Sequence, residues 1–394
     1  MNQSATSSLM LKLVLLLASS MTVMAGATIA PSLPEMLRAF SNSANAAFLV
    51  PLVLTVPALF IALCASAAGL AIDRWGRKKL LLISIGLYGL AGASGFFLDS
   101  LYAILMGRAV LGIAVAGIMT TCTTLIADYF IGEQRYQFMG IQAAFMSFGG
   151  VIFLTLGGFL AEISWRSPFL IYLFAFVILP LAAYAIIEPT KSSDRTNHPL
   201  SEETVKMPMK GVWLLYGIAF IGMAIFYMIP VRLPFLLSQL QLGSSKEAGI
   251  AIACTTLVSG ITATQFQRVR ARFNFSIITA LIFLFMGVGY GVISVSNTYQ
   301  QVLLGLIISG MGLGLLMPHL NVALVELVPV NLRGQAVGGL TTTLFLGQFL
   351  SPVLTQPLSQ ATSLSVSYGI VGGLMLVGAL IFGWTGLRPT PKLP

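Results

Sequence analysis

Charged residues are scarce in this chain of 394 residues. They make up 8% of the sequence, against about 25% in a typical soluble domain. A folded soluble protein needs more charge than this to keep its surface wetted, so a soluble enzyme and a disordered chain are both excluded. The chain has three cysteines, Cys64, Cys122 and Cys254, and each falls within a long apolar run. This excludes a disulfide-rich secreted scaffold and predicts buried thiols.

Catalytic signatures are also missing. The sequence contains no HExxH, GxSxG or GxxxxGKS pattern, and only one of its two histidines falls within an apolar run. Metalloprotease and serine-hydrolase chemistry are therefore disfavoured, and so is pumping driven by ATP. We predict that the chain is not an enzyme and has no catalytic residues, no metal site and no cofactor.

Long apolar runs dominate what is present. Hydrophobic residues make up 57% of the chain and concentrate in runs of about 20 residues, the length of a membrane-spanning helix. The runs are apolar on all sides, which favours helices over a β-barrel. In the first half they are Leu11–Ala30, Ala46–Ala71, Leu80–Phe97, Tyr102–Ala127, Phe138–Ala161 and Pro168–Ile187. In the second half they are Gly211–Val231, Ala248–Phe266, Phe275–Ser294, Gln301–Val325, Ala336–Thr355 and Val366–Gly386.

Lysine and arginine are distributed unevenly between the two sides of these runs. The chain has 21 basic and 12 acidic residues, a formal net charge of +9. With the amino terminus inside, 16 of the 21 bases fall on that side, 4 on the other, and Arg108 lies within a span. This bias predicts an integral membrane protein with both termini in the cytoplasm, and we predict the bacterial cytoplasmic (inner) membrane as its location. The basic excess is then an orientation signal, and nucleic acid is not predicted as a partner.

The two halves of the chain resemble each other. A polar stretch with three prolines, from Glu188 to Lys210, separates six runs from six. At an offset of 198 residues, Asp128 and Arg135 recur as Glu326 and Arg333. Parallel six-helix repeats are a known transporter architecture, in which one half moves against the other around a central site. The predicted domains are an N-terminal six-helix bundle (1–190), a cytoplasmic linker (191–210) and a C-terminal six-helix bundle (211–394).

The connection between the second and third runs, Gly69 to Lys79, reads GLAIDRWGRKK. Its glycines permit a tight turn at the membrane surface, and Asp73 is an acid among several bases. A positive-inside anchor would account for the bases alone. The segment resembles the loop signature of the major facilitator superfamily: Gly, three residues, Asp, Arg, any residue, Gly, Arg and two further bases. With twelve runs and a central linker, the resemblance covers nearly the whole chain.

The resemblance implies an all-α polytopic membrane protein whose twelve transmembrane helices form two six-helix bundles, related by a pseudo-two-fold axis along the membrane normal. In the family, the loop Asp caps the cytoplasmic start of helix eleven, and the loop Arg contacts an acid at the end of helix four. Together these contacts latch the halves closed on the cytoplasmic side. The segment Gln267 to Arg272 of the second half has no acid, and we interpret it as an anchor. The residues predicted to form the gating latch are Gly69, Asp73, Gly76, Arg77, Asp128 and Arg135.

Arg108 is the one charge predicted to lie well inside a span, which makes it a functional candidate. With Leu105 and Gly112 it resembles the family's fourth-helix motif, whose arginine is tied to proton transfer. The match is incomplete, because Leu111 stands where the family often has glutamine. An arginine that snorkels toward the interface is the alternative.

Two titratable residues accompany Arg108 in our prediction of proton coupling. Glu35 follows the first run, and His319 lies within the tenth. By family architecture, spans one, four, seven and ten line the cavity. We predict that Glu35 or His319 exchanges protons and that Arg108 biases its pKa. A solvated loop acid and a helix-packing histidine are the respective alternatives.

The remaining predicted cavity is mainly apolar and aromatic, which suits varied apolar ligands. Lipid-facing or packing roles are the alternative for each of its residues. The family's antiporter pattern on helix five is only partly present, because Phe153 and Leu154 occupy its Gly-Pro positions. The predicted substrate-cavity residues are Met24, Phe145, Phe226, Tyr227, Met317, Asn321 and Gln348.

These observations predict a secondary-active transporter, most like the twelve-span drug/proton antiporters of the superfamily. It would export small amphipathic or hydrophobic compounds by alternating access, with the proton gradient as energy source and no cofactor. The predicted partners are a small-molecule substrate, protons and the lipid bilayer, and the predicted functional unit is a monomer. The alternative is proton-coupled import or exchange of a specific metabolite such as a sugar or an organic anion.

Overall fold

Twelve helices long and apolar enough to cross a membrane run through the part of the chain that the structure describes. The computed structural model describes residues 9–188 and 207–387, and these ranges contain no β-strand. The first six helices are α1 (Leu9–Ala39), α2 (Ala46–Trp75), α3 (Arg77–Phe96), α4 (Leu101–Tyr129), α5 (Glu133–Ile163) and α6 (Ser167–Ala185). The second six are α7 (Met209–Gln239), α8 (Ser245–Thr264), α9 (Phe275–Ser294), α10 (Tyr299–Leu327), α11 (Val330–Ala361) and α12 (Leu364–Leu387).

The twelve predicted spans are thus confirmed. Most of the predicted linker, 191–206, and the two chain termini lie outside the described residues. The exact domain boundaries and the side of the membrane on which the termini lie therefore stay predictions. Helix α7 begins at Met209 and so includes the last two residues of the predicted linker.

Helices form here because a bilayer offers no hydrogen-bond partner, so each apolar run must satisfy its own backbone groups. Polar side chains satisfy the free N–H groups at several helix starts. Ser244 and Glu247 form a capping box at the start of α8, and Thr298 and Gln301 form another at the start of α10. These caps fix where the second-half helices begin.

Helices α1 and α7 are both interrupted before their ends. A 3-10 turn, Ala30–Ser32, divides α1, and Tyr227 separates the segments Met209–Phe226 and Met228–Gln239 of α7. Prolines lie within or just after both breaks, at positions 31 and 34 and at positions 230 and 234. Proline is tolerated in the first turn of a helix, where its missing N–H would have no partner. Both helices therefore continue well beyond the ends predicted for the first and seventh runs.

Helices α1 to α6 and α7 to α12 form two bundles with the same internal packing. The pairs α1–α5, α2–α4 and α3–α6 of the first bundle recur as α7–α11, α8–α10 and α9–α12 of the second. Between the bundles the main contacts are α5 with α8 and α2 with α11, which are also equivalent under the repeat. The two-bundle prediction and its internal symmetry are confirmed.

Because successive helices run antiparallel, the molecule has two ends. We call the end where α2 meets α3 the Asp73 end. The opposite end, where α1 and α7 finish, is the Glu35 end. These two names describe position only and make no statement about the side of the membrane.

Candidate functional site

The turn between α2 and α3 is organised by a residue that sequence reasoning missed. Gly76 ends α2 with a φ of +90°, a conformation that favours glycine. The carboxylate of Glu188, just after α6, accepts hydrogen bonds from the backbone N–H groups of Arg77 and Lys78, both at 2.7 Å. A Cβ at position 76 would lie 2.9 Å from Glu188 Oε1. Glu188 therefore caps α3 and requires the glycine, although it lies outside the loop signature.

The predicted contact between Arg77 and Asp128 is present. Arg77 Nε donates to Asp128 Oδ2 at 3.1 Å, and both side chains are mostly shielded. Asp73 is exposed at the end of α2, and Arg135 is exposed in the first turns of α5. The first bundle thus joins α2–α3, α4 and α6 through charged groups at the Asp73 end. The role of this network as a latch stays a prediction.

The corresponding connection of the second bundle holds an ion pair of its own. Arg270, which lies in a short helix between α8 and α9, contacts the carboxylate of Glu326 at the end of α10. The sequence led us to interpret this segment as an anchor only, since it contains no acid. The acid comes instead from the position that repeats Asp128, so the base–acid contact is repeated as well.

Arg108 is buried on α4 and bonded to three other helices. Its side chain is 1% exposed. Its Nε donates to Val53 O of α2 at 2.9 Å, its Nη1 to Tyr172 Oη of α6 at 2.8 Å, and its Nη2 to Ala25 O of α1 at 2.6 Å. The carbonyl of Val53 is available because its usual donor would be residue 57, a proline. Ala25 lies in the last turn before the break in α1, where carbonyls lack helical donors.

The structure does not bring the three predicted proton-coupling residues together. Glu35 pairs with Arg38 on the surface of α1. His319 is buried in α10 near the Asp73 end, where its Nε2 lies 2.9 Å from Thr279 Oγ1 and its ring stacks on Phe275 at 4.6 Å. Arg108 hydrogen-bonds to neither of them. A cavity of about 190 Å³ beside His319 also contains the Arg270–Glu326 pair.

A second buried arginine lies in α7. Arg232 is only 7% exposed, although the predicted seventh run ends one residue before it. That run was predicted to end at Val231, whereas the helix continues past its prolines to Gln239. Arg232 Nη2 lies 3.4 Å from both Pro352 O and Gln356 Oε1 of α11. Among the described residues, Nε finds no hydrogen-bond partner.

The two bundles are sealed against each other at the Glu35 end. A Cβ added at Gly249 of α8 would lie 2.8 Å from Gly158 Cα of α5, so only glycines permit this approach. Ser244 Oγ donates to Glu162 Oε1 at 2.6 Å, and Arg38 Nη2 donates to Ser238 Oγ at 3.1 Å. Each of these contacts joins one bundle to the other. A polar cleft of about 360 Å³ lies among them.

The bundles separate toward the Asp73 end. A Cβ added at Gly69 of α2, or at Gly334 or Gly338 of α11, would meet no atom within 4 Å. Between α5 and α8 a cavity of about 450 Å³ opens toward this end. The residues that line it are small or apolar, among them Gly140, Ala143, Ser147, Leu257, Gly260 and Thr264.

The predicted cavity residues fall into different environments. Met24 and Tyr227 are buried, Phe226, Met317 and Gln348 are half-buried, and Asn321 is exposed. Tyr227 stands at the break in α7, and its hydroxyl lies 2.8 Å from where a Cβ at Gly26 of α1 would be. It therefore reaches the other bundle.

Phe145 is half-buried and lines a groove of about 600 Å³ formed by α1, α5 and α6 of the first bundle. The groove is therefore not shared with the second bundle. Sequence reasoning also missed a polar pair in the first bundle, in which Gln142 Nε2 of α5 donates to Ser19 Oγ of α1 at 2.7 Å. The available signal was a glutamine near the start of an otherwise apolar run.

Comparison with known proteins agrees with this architecture. A model of the Major Facilitator Superfamily matches residues 15–352 and 235–394. A bacillibactin exporter of Bacillus subtilis is 27% identical over 342 residues, which cover 82% of this chain and 83% of that protein. Tetracycline resistance protein, class E, of Escherichia coli is 27% identical over 252 residues, covering 62% of this chain and 61% of its own length.

Solved structures of other proteins share this fold. The crystal structure of a D-xylose-proton symporter aligns with a TM-score of 0.77, covering 96% of this chain and 98% of the symporter. The sequence identity is 17%, so this similarity concerns the fold alone.

Proposed function

Because the chain belongs to the Major Facilitator Superfamily, and is accordingly a transporter rather than an enzyme, we propose that it exports small amphipathic compounds in exchange for protons. Export would proceed across the bacterial cytoplasmic membrane by alternating access. The Asp73 end faces the cytoplasm in this proposal, because most lysines and arginines lie on that side.

The observation that carries the proposal is the difference between the two ends of the bundle interface. Glycine contacts and polar bonds close the Glu35 end, whereas glycines of α2 and α11 face open space at the Asp73 end. Such a shape is one of the two states that alternating access requires. The outward-open state would exchange this arrangement for closure at the Asp73 end.

The closing latch in this proposal is the Asp73 loop. Arg77, Asp128 and Glu188 hold the loop in the first bundle. Asp73 would then dock at the start of α11, where a carboxylate is stabilised by the positive end of the helix. The exporters among the similar sequences support the outward direction of transport.

Protons would be exchanged at Glu35 or His319. Glu35 lies at the cleft of the closed end, and His319 lies beside a polar cavity near the open end. The variants Glu35→Gln and His319→Ala test these positions separately. If neither changes the pH dependence of transport, proton coupling through both residues is excluded.

The purified protein in proteoliposomes with an imposed pH gradient provides the decisive test. A panel of lipophilic cations, neutral compounds and organic anions is added, and internal pH is followed with a trapped fluorescent indicator. We expect substrate-dependent proton flux that requires the gradient. Protein-dependent uptake of a compound without any proton movement would contradict the exchange mechanism.

A specific observation favours a second candidate, the transport of an organic anion. Two arginines are buried in the spans, and neither forms an ion pair with a described residue. The same panel separates the candidates, because it includes lipophilic cations and anions of similar size.

A further inference from the structure

The two buried arginines differ in how far their donors are satisfied. Arg108 makes three bonds of 2.6 to 2.9 Å to three helices. Arg232 makes two contacts, both from Nη2 and both at 3.4 Å. One of them goes to Pro352 O, a carbonyl in the interior of a helix, whose own donor would be the N–H of Gln356. Arg232 is therefore a buried cation with two long contacts and, among the described residues, an unsatisfied Nε.

An unused donor also lies in the same turn of α11. Ser351 is completely buried, and among the described residues its Oγ finds no hydrogen-bond partner. It directly precedes Pro352, which Arg232 contacts. A buried guanidinium Nε and a buried hydroxyl without partners are costly, and charges of this kind in a membrane protein mark functional positions.

The position of Arg232 links it to the closure of the Glu35 end. It lies in the segment of α7 that follows the break at Tyr227, and this segment packs against the last part of α1 in the other bundle. When the Glu35 end opens, this contact must separate. The movement would change the packing around the segment that carries Arg232.

We propose that Arg232, together with the Ser351 hydroxyl from the same turn of α11, binds the anionic group of the transported compound, so that the substrates are amphipathic organic anions. A carboxylate would take two parallel bonds from the planar guanidinium and supply the negative charge that no described residue provides. This inference rests on the proposed transport function and specifies its substrate class. It assigns Arg108 no contact with substrate, since bonds within the first bundle already occupy that guanidinium.

Binding of matched probes to the detergent-purified full chain tests the proposal. The probes are hexanoate, 4-hydroxybenzoate and 1-naphthoate, each compared with its neutral amide at pH 7, where the carboxylates are ionised. The variants are Arg232→Gln and Arg232→Lys. The control is Arg166→Gln, which removes a more exposed arginine paired with Asp99 at the same end.

We expect at least one carboxylate, and not its amide, to bind the wild-type protein. Arg232→Gln should weaken this binding roughly 10- to 100-fold, the usual effect of losing hydrogen bonds to a charged group. Arg232→Lys should keep part of the affinity, and the Arg166 variant should bind like the wild type. Equal binding of acid and amide, equal binding by the Gln variant, or no carboxylate binding to the wild-type protein would each overturn the proposal.

The same proteins in proteoliposomes separate this inference from the function on which it rests. If gradient-driven transport occurs but carboxylate binding is independent of Arg232, only the anion site is refuted. If no compound of any charge is transported by the wild-type protein, the transport proposal itself fails. Monodisperse elution of each variant shows that it is folded, and the Lys variant provides a second test if the Gln variant fails this check.

Discussion

The first and second bundles share one packing plan but use their charges differently. In the first bundle, Arg108 is bonded to α1, α2 and α6, and Glu188 caps α3. In the second bundle, Arg232 has an unpartnered Nε, and the exposed Arg270–Glu326 pair stands alone. The repeat thus preserves the arrangement of helices but not the use of charge. Charged side chains hydrogen-bond several helices of the first bundle together, whereas the second bundle has a buried guanidinium donor without a described partner. We infer that the first bundle supplies rigidity and the second supplies ligand chemistry.

The largest difference is expected between the two loops at the Asp73 end. Asp73→Asn should reduce transport to background while leaving membrane insertion and folding intact, because it removes the charge that closes the latch. Arg268→Gln, an equally mild change in the second-bundle connection, should leave transport nearly unchanged. Uptake in proteoliposomes and elution profiles measure both. Full activity of the Asp73 variant would refute the latch.

Substitution of the two buried arginines should have different effects on the thermal stability of the protein. Arg108→Gln leaves two buried carbonyls and the Tyr172 hydroxyl without their donor, which should cost about 3 kcal/mol, at roughly 1 kcal/mol for each lost bond. Arg232→Gln removes a buried charge with few bonds and should leave the melting temperature unchanged or raised. Thermal unfolding in detergent without ligand measures this. A similar fall in both variants would remove the distinction between the bundles.

The glycine contact between the bundles should control which end is open. Gly249→Ala places a Cβ against backbone atoms of α5, an overpacking that should favour opening of the Glu35 end roughly 10-fold. The matched control is Gly291→Ala in α9, where a Cβ would meet no atom within 4 Å.

Alkylation reports this shift. A single cysteine is placed at Ser238, in a chain whose three native cysteines are replaced by serine. A membrane-impermeant maleimide should label it faster in the Gly249 variant and at the wild-type rate in the control. Unchanged labelling in both would mean that the glycine contact does not limit opening.

The smallest effect concerns two carboxylates at the Asp73 end. Glu188→Gln weakens a helix cap and should destabilise the protein by about 1 kcal/mol. Glu326→Gln breaks an exposed pair and should cost less than about 0.5 kcal/mol. Paired melting curves compare the two variants. A larger loss of stability in the Glu326 variant would show that the Arg270–Glu326 pair also stabilises the fold.

The sequence predicts the helices well because the bilayer leaves an apolar run of this length few alternatives. It predicts the ends of α1 and α7 poorly, since the first and seventh runs were predicted to end at Ala30 and Val231, whereas both helices continue past nearby prolines, which can also begin helices. That error hid Arg232, whose burial depends on the helix continuing. The Arg77–Asp128 contact could be predicted, because Arg77 belongs to a signature whose arginine has a known partner at the end of helix four.

The remaining contacts of the site depend on backbone geometry. Arg108 donates mainly to main-chain carbonyls. Every residue has such a carbonyl, so the residue types in the sequence do not identify the acceptors. Only Pro57, four residues after Val53, gives a sequence signal that one of these carbonyls is free. Glu188 was missed because it lies at the edge of the polar linker, where an acid has no evident partner until α6 is placed beside α3.

The bonds of Arg108 also set an order for biogenesis. When α4 enters the membrane during synthesis, the carbonyls of α1 and α2 that accept from Arg108 have already been made. Tyr172 follows with α6 and completes the set before any residue of the second bundle is synthesised. The first bundle can therefore bury its charge and assemble on its own, ready to serve as the surface on which the second bundle folds.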